Sequence, residues 1–184
     1  MKHKLQVALV AGISAATLFP AAHAADGTIT FTGQISASTC TIAGNGGSTS
    51  FTVALPTVSA STLSATGKTA GRTPFTIVLS GCSPTTGTVH TFFESGTTTD
   101  TASGRLNLSA AAAGSTNATN VQIQLLNSDA SIISAGSADS TQNSLSASIA
   151  SGSATLRYFA QYYATGAATA GGANTLVTYT MSYQ

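Results

Sequence analysis

Along most of the chain the apolar residues fall in short runs that alternate with Ser and Thr, a period of two rather than of 3.6. That period sends successive side chains to opposite faces of an extended strand, so the chain reads as all-β and built of many short strands. The alternation predicts strands over 28–41, 50–55, 73–79, 88–93, 105–109, 120–126, 154–163 and 175–183. Turn clusters separate them, among them Gly44-Asn45-Gly46-Gly47, Ser83-Pro84 and the stretches 96–99 and 113–117, at the spacing of a β-sandwich with Greek-key links. A short helical turn is expected over 59–64, and no repeat of 20 to 50 residues is present.

The two ends of this pattern are its most informative parts. In 28–35, Ile29, Phe31, Gly33 and Ile35 share one face while Thr28, Thr30, Thr32 and Gln34 share the other. Burying Ile29, Phe31 and Ile35 would contribute on the order of 5 to 8 kcal/mol, comparable to the stability of a whole domain. Gly33 interrupts that apolar face with nothing to pack, which suits a place where a backbone or a ring comes close. The last residues repeat the logic, with Val177, Tyr179, Met181 and Tyr183 on one face and Thr178, Thr180 and Ser182 on the other. At a sheet edge such a strand offers unpaired backbone groups, a template for another strand. The pattern is equally satisfied if 28–35 pairs within its own domain as an ordinary edge strand.

Composition adds a compartment. Lys2, His3 and Lys4 precede an apolar run that ends at Pro20 and Ala22-His23-Ala24, the form of a secretory signal peptide with an A-x-A cleavage site. The run is short for a membrane span, which needs about 20 residues, although an anchoring helix is the alternative. Removing residues 1–24 leaves a chain of one-domain size. In it, Lys68, Arg72, Arg105 and Arg157 face Asp26, Glu94, Asp100, Asp129 and Asp139. Four scattered cations make no basic stripe, which argues against nucleic acid as a partner. Cys40 and Cys82, alone in an exported chain, read as one disulfide, with a free buried pair as the alternative.

Several ordered segments resemble the type 1 family of chaperone-usher pilins. Gly27-Thr28-Ile29-Thr30-Phe31-Thr32-Gly33-Gln34-Ile35 followed by Cys40 looks like the family's donor strand, and Thr73-Pro74-Phe75-Thr76-Ile77-Val78-Leu79-Ser80-Gly81-Cys82 like the strand with its second cysteine. Val121-Gln122-Ile123-Gln124-Leu125-Leu126 and Phe159-Ala160-Gln161-Tyr162-Tyr163-Ala164-Thr165-Gly166 resemble two later strands, and the C-terminus resembles the assembly motif, with Gly171 fourteenth from the end and Tyr183 next to last.

The resemblance implies an incomplete immunoglobulin-like β-sandwich with an N-terminal donor-strand extension, whose missing strand is supplied by a chaperone and then by a neighbouring subunit. It divides the chain into a signal peptide (1–24), a donor extension (25–36) and a pilin domain (37–184). Ile29, Phe31, Gly33 and Ile35 would form the donor face. Gly171, Val177, Tyr179, Met181, Tyr183 and Gln184 would belong to the strand that borders the acceptor groove and meets the chaperone, which holds the Gln184 carboxylate. The implied partners are neighbouring subunits in a head-to-tail polymer, a periplasmic chaperone and an outer-membrane usher, with no cofactor, no metal and no direct membrane insertion. The implied place is a fimbria on the bacterial surface, reached through the periplasm, where the chain builds the shaft that supports adhesion.

Three other readings stand beside the shaft subunit. A minor adaptor or terminator pilin shares the same end motifs. A secreted carbohydrate-binding β-sandwich would present aromatic rings on its loops, but the chain has no Trp. An enzyme would need a general base, for which His90 is the candidate once His3 and His23 leave with the signal; its alternation within 88–93 makes it an ordinary strand residue. A metal site would lack a second His or clustered carboxylates.

Overall fold

The structure, a computed structural model, describes residues 28–30, 32–33, 35, 37–111 and 113–184. Contacts divide the chain into Met1–Ile35 and Ser36–Gln184. In the first unit the described residues belong to no helix or strand, and Ile29 and Ile35 are 80% and 100% exposed. Phe31 and Gln34 lie outside the described residues.

The second unit is an incomplete immunoglobulin-like sandwich of two antiparallel sheets. Its strands are β1 (Thr39–Gly44), β2 (Thr69–Ser83), β3 (Gly87–Phe93), β4 (Thr99–Asp100), β5 (Arg105–Asn107), β6 (Val121–Asn127), β7 (Ile132–Ile133), β8 (Ala147–Ile149), β9 (Ala154–Ala164) and β10 (Tyr179–Tyr183). The larger sheet runs β1-β2-β9-β6-β5-β4 with β7 beside β6, and the smaller runs β10-β3-β8. A 3₁₀ turn, Ala60–Leu63, starts where Ser59 accepts a hydrogen bond from the Ser61 N–H, as the expected turn over 59–64 would have it.

Alternation builds the core. β2 and β9 pair with Ile77 opposite Leu156, so Phe75, Ile77 and Leu79 and Leu156, Tyr158 and Ala160 all face inward. From the smaller sheet Val89, Thr91 and Phe93 meet them. Tyr158 ties the sheets together: its hydroxyl lies 3.1 Å from the Thr91 hydroxyl, and its ring packs edge-on against Phe93 at 5.5 Å. The Cys40–Cys82 disulfide joins β1 to the end of β2 across a separation of 42 residues.

Several predicted strands differ from the structure in extent: 73–79 lengthens to Thr69–Ser83 and 105–109 shortens to Arg105–Asn107. Among the described residues, 28–41 enters a ladder only at Thr39, 175–183 only at Tyr179, and 50–55 joins no ladder. Side-chain alternation makes a segment extended; membership of a sheet also requires a neighbour for its backbone groups. The region 132–149, where no element was expected, holds β7, β8 and a single helical turn, α1 (Asp139–Gln142). Within α1 the buried Gln142 side chain accepts from the Phe93 N–H at 2.7 Å and donates to the Phe93 carbonyl at 2.9 Å. The amide thus stands in for a strand neighbour at the end of β3.

Candidate functional site

A groove of about 920 Å³ opens in the second unit, with the stretches 49–55 and 173–179 as its two banks. Phe75, Ile77, Phe93, Leu106, Ile123, Leu125 and Ala160 form its floor, drawn from both sheets. No lining residue carries a charge. The floor is therefore made for apolar side chains, and a carboxylate or ammonium entering it would be desolvated without a partner.

The banks are extended, with alternating burial, and their backbones are half-used. In the first bank Phe51, Val53 and Leu55 are half-buried while Thr52 and Ala54 are exposed. Among the described residues, 51–55 makes no backbone hydrogen bond. In the second bank the carbonyls of Asn174, Leu176 and Thr178 accept from the Ser109 N–H, the Thr98 hydroxyl and the Glu94 N–H at 2.8, 2.5 and 2.9 Å. Successive backbone groups of a strand point to opposite edges, so those of Thr175 and Val177 turn away from these partners, and they have no backbone partner among the described residues. Two extended edges with unused N–H and C=O groups over an apolar floor make a site for a β-strand.

Local packing holds the banks in place. The Phe51 ring covers Gly44 so closely that a Cβ there would overlap it, and it meets the Tyr179 ring at 6.3 Å. The Tyr179 hydroxyl donates to the Thr49 carbonyl at 2.7 Å, bridging the two banks at one end of the groove. Burial raises the pKa of Tyr162, Tyr179 and Tyr183 above the ordinary tyrosine value. The fold therefore binds these phenolic protons more tightly than the unfolded chain does. Their contribution to stability is complete below about pH 10 and is lost as pH rises through the folded-state values. Alkaline titration is expected to lower the unfolding midpoint above about pH 10, and Tyr179→Phe, which lacks both the proton and the bridge, is expected to lose less on the same titration.

Of the residues singled out at the C-terminus, Val177 and Tyr179 line the groove. Met181 and Tyr183 continue the same face along β10 and pack against the core beyond the groove. Gly171 precedes the bank. It lies against the Asn117–Ala118 backbone, where a Cβ would collide, beside a bridge in which the Ala118 N–H donates to the Gly172 carbonyl at 2.9 Å. Gln184 exchanges two backbone hydrogen bonds with Thr88, each 2.9 Å. His90 points away from the core, its Nε2 2.6 Å from Asp139 Oδ1. Sequence reasoning missed the floor contributions of Leu106 and Ile123 and the Thr49–Tyr179 bridge; the alternation of Leu106 and Ile123 with polar neighbours was the available signal.

The family model described as "Type-1 fimbrial protein, A" matches residues 55–184. The chain is 49% identical over 167 residues to the "Major fimbrial subunit SMF-1" of Stenotrophomonas maltophilia, covering 89% of this chain and 95% of that protein. It is 44% identical over 184 residues to the "F17 fimbrial protein" of Escherichia coli, covering 97% and 99%. Among solved structures, a Burkholderia pseudomallei antigen described as a type I fimbria protein matches with a TM-score of 0.51 at 29% identity, over 79% of this chain and 97% of that one. The P pilus rod subunit PapA matches in fold with a TM-score of 0.59 at 19% identity, over 79% and 99%. The chain belongs to the type-1 fimbrial protein family and is a structural subunit of a bacterial surface fimbria.

Proposed function

We propose that this subunit polymerises head to tail by strand donation, with Ile29, Phe31, Gly33 and Ile35 of one copy laid into the groove of the next. The observation that carries the reading is the pair of extended banks with unused backbone groups, at 51–55 and at Thr175 and Val177 among the described residues, over an uncharged apolar floor. Lengths agree as well. A strand rises about 3.3 Å per residue, and the donor face 29–35 has the same number of residues as each bank, 49–55 and 173–179. Because donor and groove are different surfaces, the contact is heterologous and propagates an open filament.

In this reading residues 1–24 are a signal peptide removed on export, 25–36 are the donor extension and 37–184 form the receiving domain. A chaperone covers the groove in the periplasm, and an outer-membrane usher passes subunits to the surface. A chain that both gives and receives a strand suits the repeating shaft, and the similarity to the Stenotrophomonas maltophilia relative, a major fimbrial subunit, supports that role. The work is mechanical rather than catalytic. Electron microscopy of surface-sheared material from cells expressing the chain with its chaperone and usher tests the reading. Fibres are expected from the wild type and none from a variant lacking residues 27–35, with the variant still present in the periplasm. Fibres of normal length from the deletion would overturn it.

A further inference from the structure

β3 has a strand on both sides only at its start. β8 pairs with it over Gly87–Val89, whereas β10 follows its other edge as far as Phe93. Opposite Tyr179, Phe93 turns its N–H and C=O away from β10, toward the edge that β8 has already left. Phe93 is buried, so without a partner those two groups would carry the full cost of desolvation. A side chain meets them. Gln142 accepts from the Phe93 N–H at 2.7 Å and donates to the Phe93 carbonyl at 2.9 Å, with the Gly136 N–H on the same carbonyl at 3.0 Å. Glutamine is seldom fully buried, yet Gln142 is 0% exposed. Its helical turn is tied to β3 a second time, by Asp139 Oδ1 at 2.6 Å from His90 Nε2.

Gln142 does not line the groove, but what it holds does. The Phe93 carbonyl and the Glu94 N–H belong to one planar peptide unit. Gln142 grips the carbonyl end, and the N–H end donates to the Thr178 carbonyl in the second bank at 2.9 Å. Fixing one end of the plane orients the other, and hydrogen bonds in such a chain strengthen one another. Thr178 adjoins Val177, whose backbone groups have no backbone partner among the described residues. The Phe93 ring itself lies in the floor, packed edge-on against Tyr158 at 5.5 Å. One amide outside the groove thus sets a floor ring and the height of a bank together.

We infer that Gln142 is a positioning residue for strand donation, holding the Phe93–Glu94 peptide so that the floor and the second bank match an incoming strand. The inference rests on the strand-donation reading and adds to it a residue of the receiving subunit that lies outside the groove. Hydrogen bonds weaken steeply away from their preferred angles, so a bank that tilts loses several bonds to the donor at once.

Purified full-length fibres of the wild type, Gln142→Glu and Gln142→Asn test this, through the rate at which detergent-resistant multimers fall to monomers. Glu keeps the acceptor for the Phe93 N–H, but an ionised carboxylate has no proton for the Phe93 carbonyl. At about pH 8 Gln142→Glu is expected to dissociate at least about tenfold faster than the wild type, the effect of losing one buried hydrogen bond. By about pH 5 its rate returns toward the wild-type rate, because burial raises the carboxyl pKa and the protonated group donates its O–H to the carbonyl. His90 and Glu94 on β3, Asp139 on α1 and Tyr158 on β9 are the titratable groups nearest to this site, and all are present in the wild type, so each rate is taken relative to the wild type at the same pH. Gln142→Asn, one methylene shorter, withdraws the amide from the carbonyl and speeds dissociation at every pH. In both variants hydrogen exchange rises at Glu94 and in the second bank, while the amides of β6 and β9 exchange as in the wild type. Wild-type rates in both variants, a Glu effect indifferent to pH, or exchange raised equally across β6 and β9 would overturn the inference. Failure of both variants to fold would overturn it too, since Gln142 would then serve the whole domain rather than the groove. Banks that stay unprotected in wild-type fibres would instead count against strand donation itself, so the two readings fail separately.

Discussion

Replacing Phe31 with Asp is expected to abolish fibres while leaving an exported, folded monomer. Phe31 lies outside the described residues, and the groove that would receive it sets the size of the effect. Its floor is apolar and none of its lining residues is charged. Leaving out one buried Phe costs about 1.5 to 3 kcal/mol. Placing a carboxylate there adds a desolvation penalty of several kcal/mol with no cation to answer it. A combined loss of at least about 4 kcal/mol weakens each junction about a thousandfold. A filament multiplies that loss over every junction, so the effect is all or none in electron micrographs. The donor's own domain should be spared, because the receiving surface belongs to 37–184. Fibres of unchanged number from Phe31→Asp would mean that this side chain enters no groove.

Removing the disulfide is expected to have the second largest effect. Cys40 and Cys82 close a loop with a separation of 42 residues, for which the loss of chain entropy in the unfolded state corresponds to about 4 kcal/mol. Domains of this size have about 5 to 15 kcal/mol in all. β1 is an edge strand that leads into the first bank, and the disulfide fastens it to β2. Cys40→Ala with Cys82→Ala should therefore lower the unfolding midpoint of the Phe31→Asp monomer by about 10 to 15 °C. A change of under about 1 kcal/mol would assign the disulfide no structural weight.

Most of the sandwich was legible because period two is a strong signal in 73–79, 88–93, 120–126 and 154–163, all of which became ladders. The banks were legible only in part. Alternation in 50–55 and 175–183 foretold which side chains face inward, but it says nothing about which backbone groups find a partner. That missing fact is the functional one. Gln122, Gln124 and Gln161 would pass for solvent-facing residues, yet each is under 10% exposed because arginine and aromatic side chains lie beside them. A single helical turn such as α1 is too short to leave a periodic trace, and the clasp of Gln142 on Phe93 has no signature in the chain. The close approach of the Asn117–Ala118 backbone to Gly171 is a constraint that the chain's pattern does not carry.

Strand donation makes its sharpest claim about backbone amides. Hydrogen exchange measured on Phe31→Asp monomers and on wild-type fibres should differ most in 51–55 and at Thr175 and Val177, whose N–H groups have no backbone partner among the described residues. The account predicts rapid exchange there in the monomer and strong protection in the fibre, with the core of β2, β6 and β9 protected in both. Equal exchange of the two banks in monomer and fibre would contradict it, because no strand would then have entered the groove.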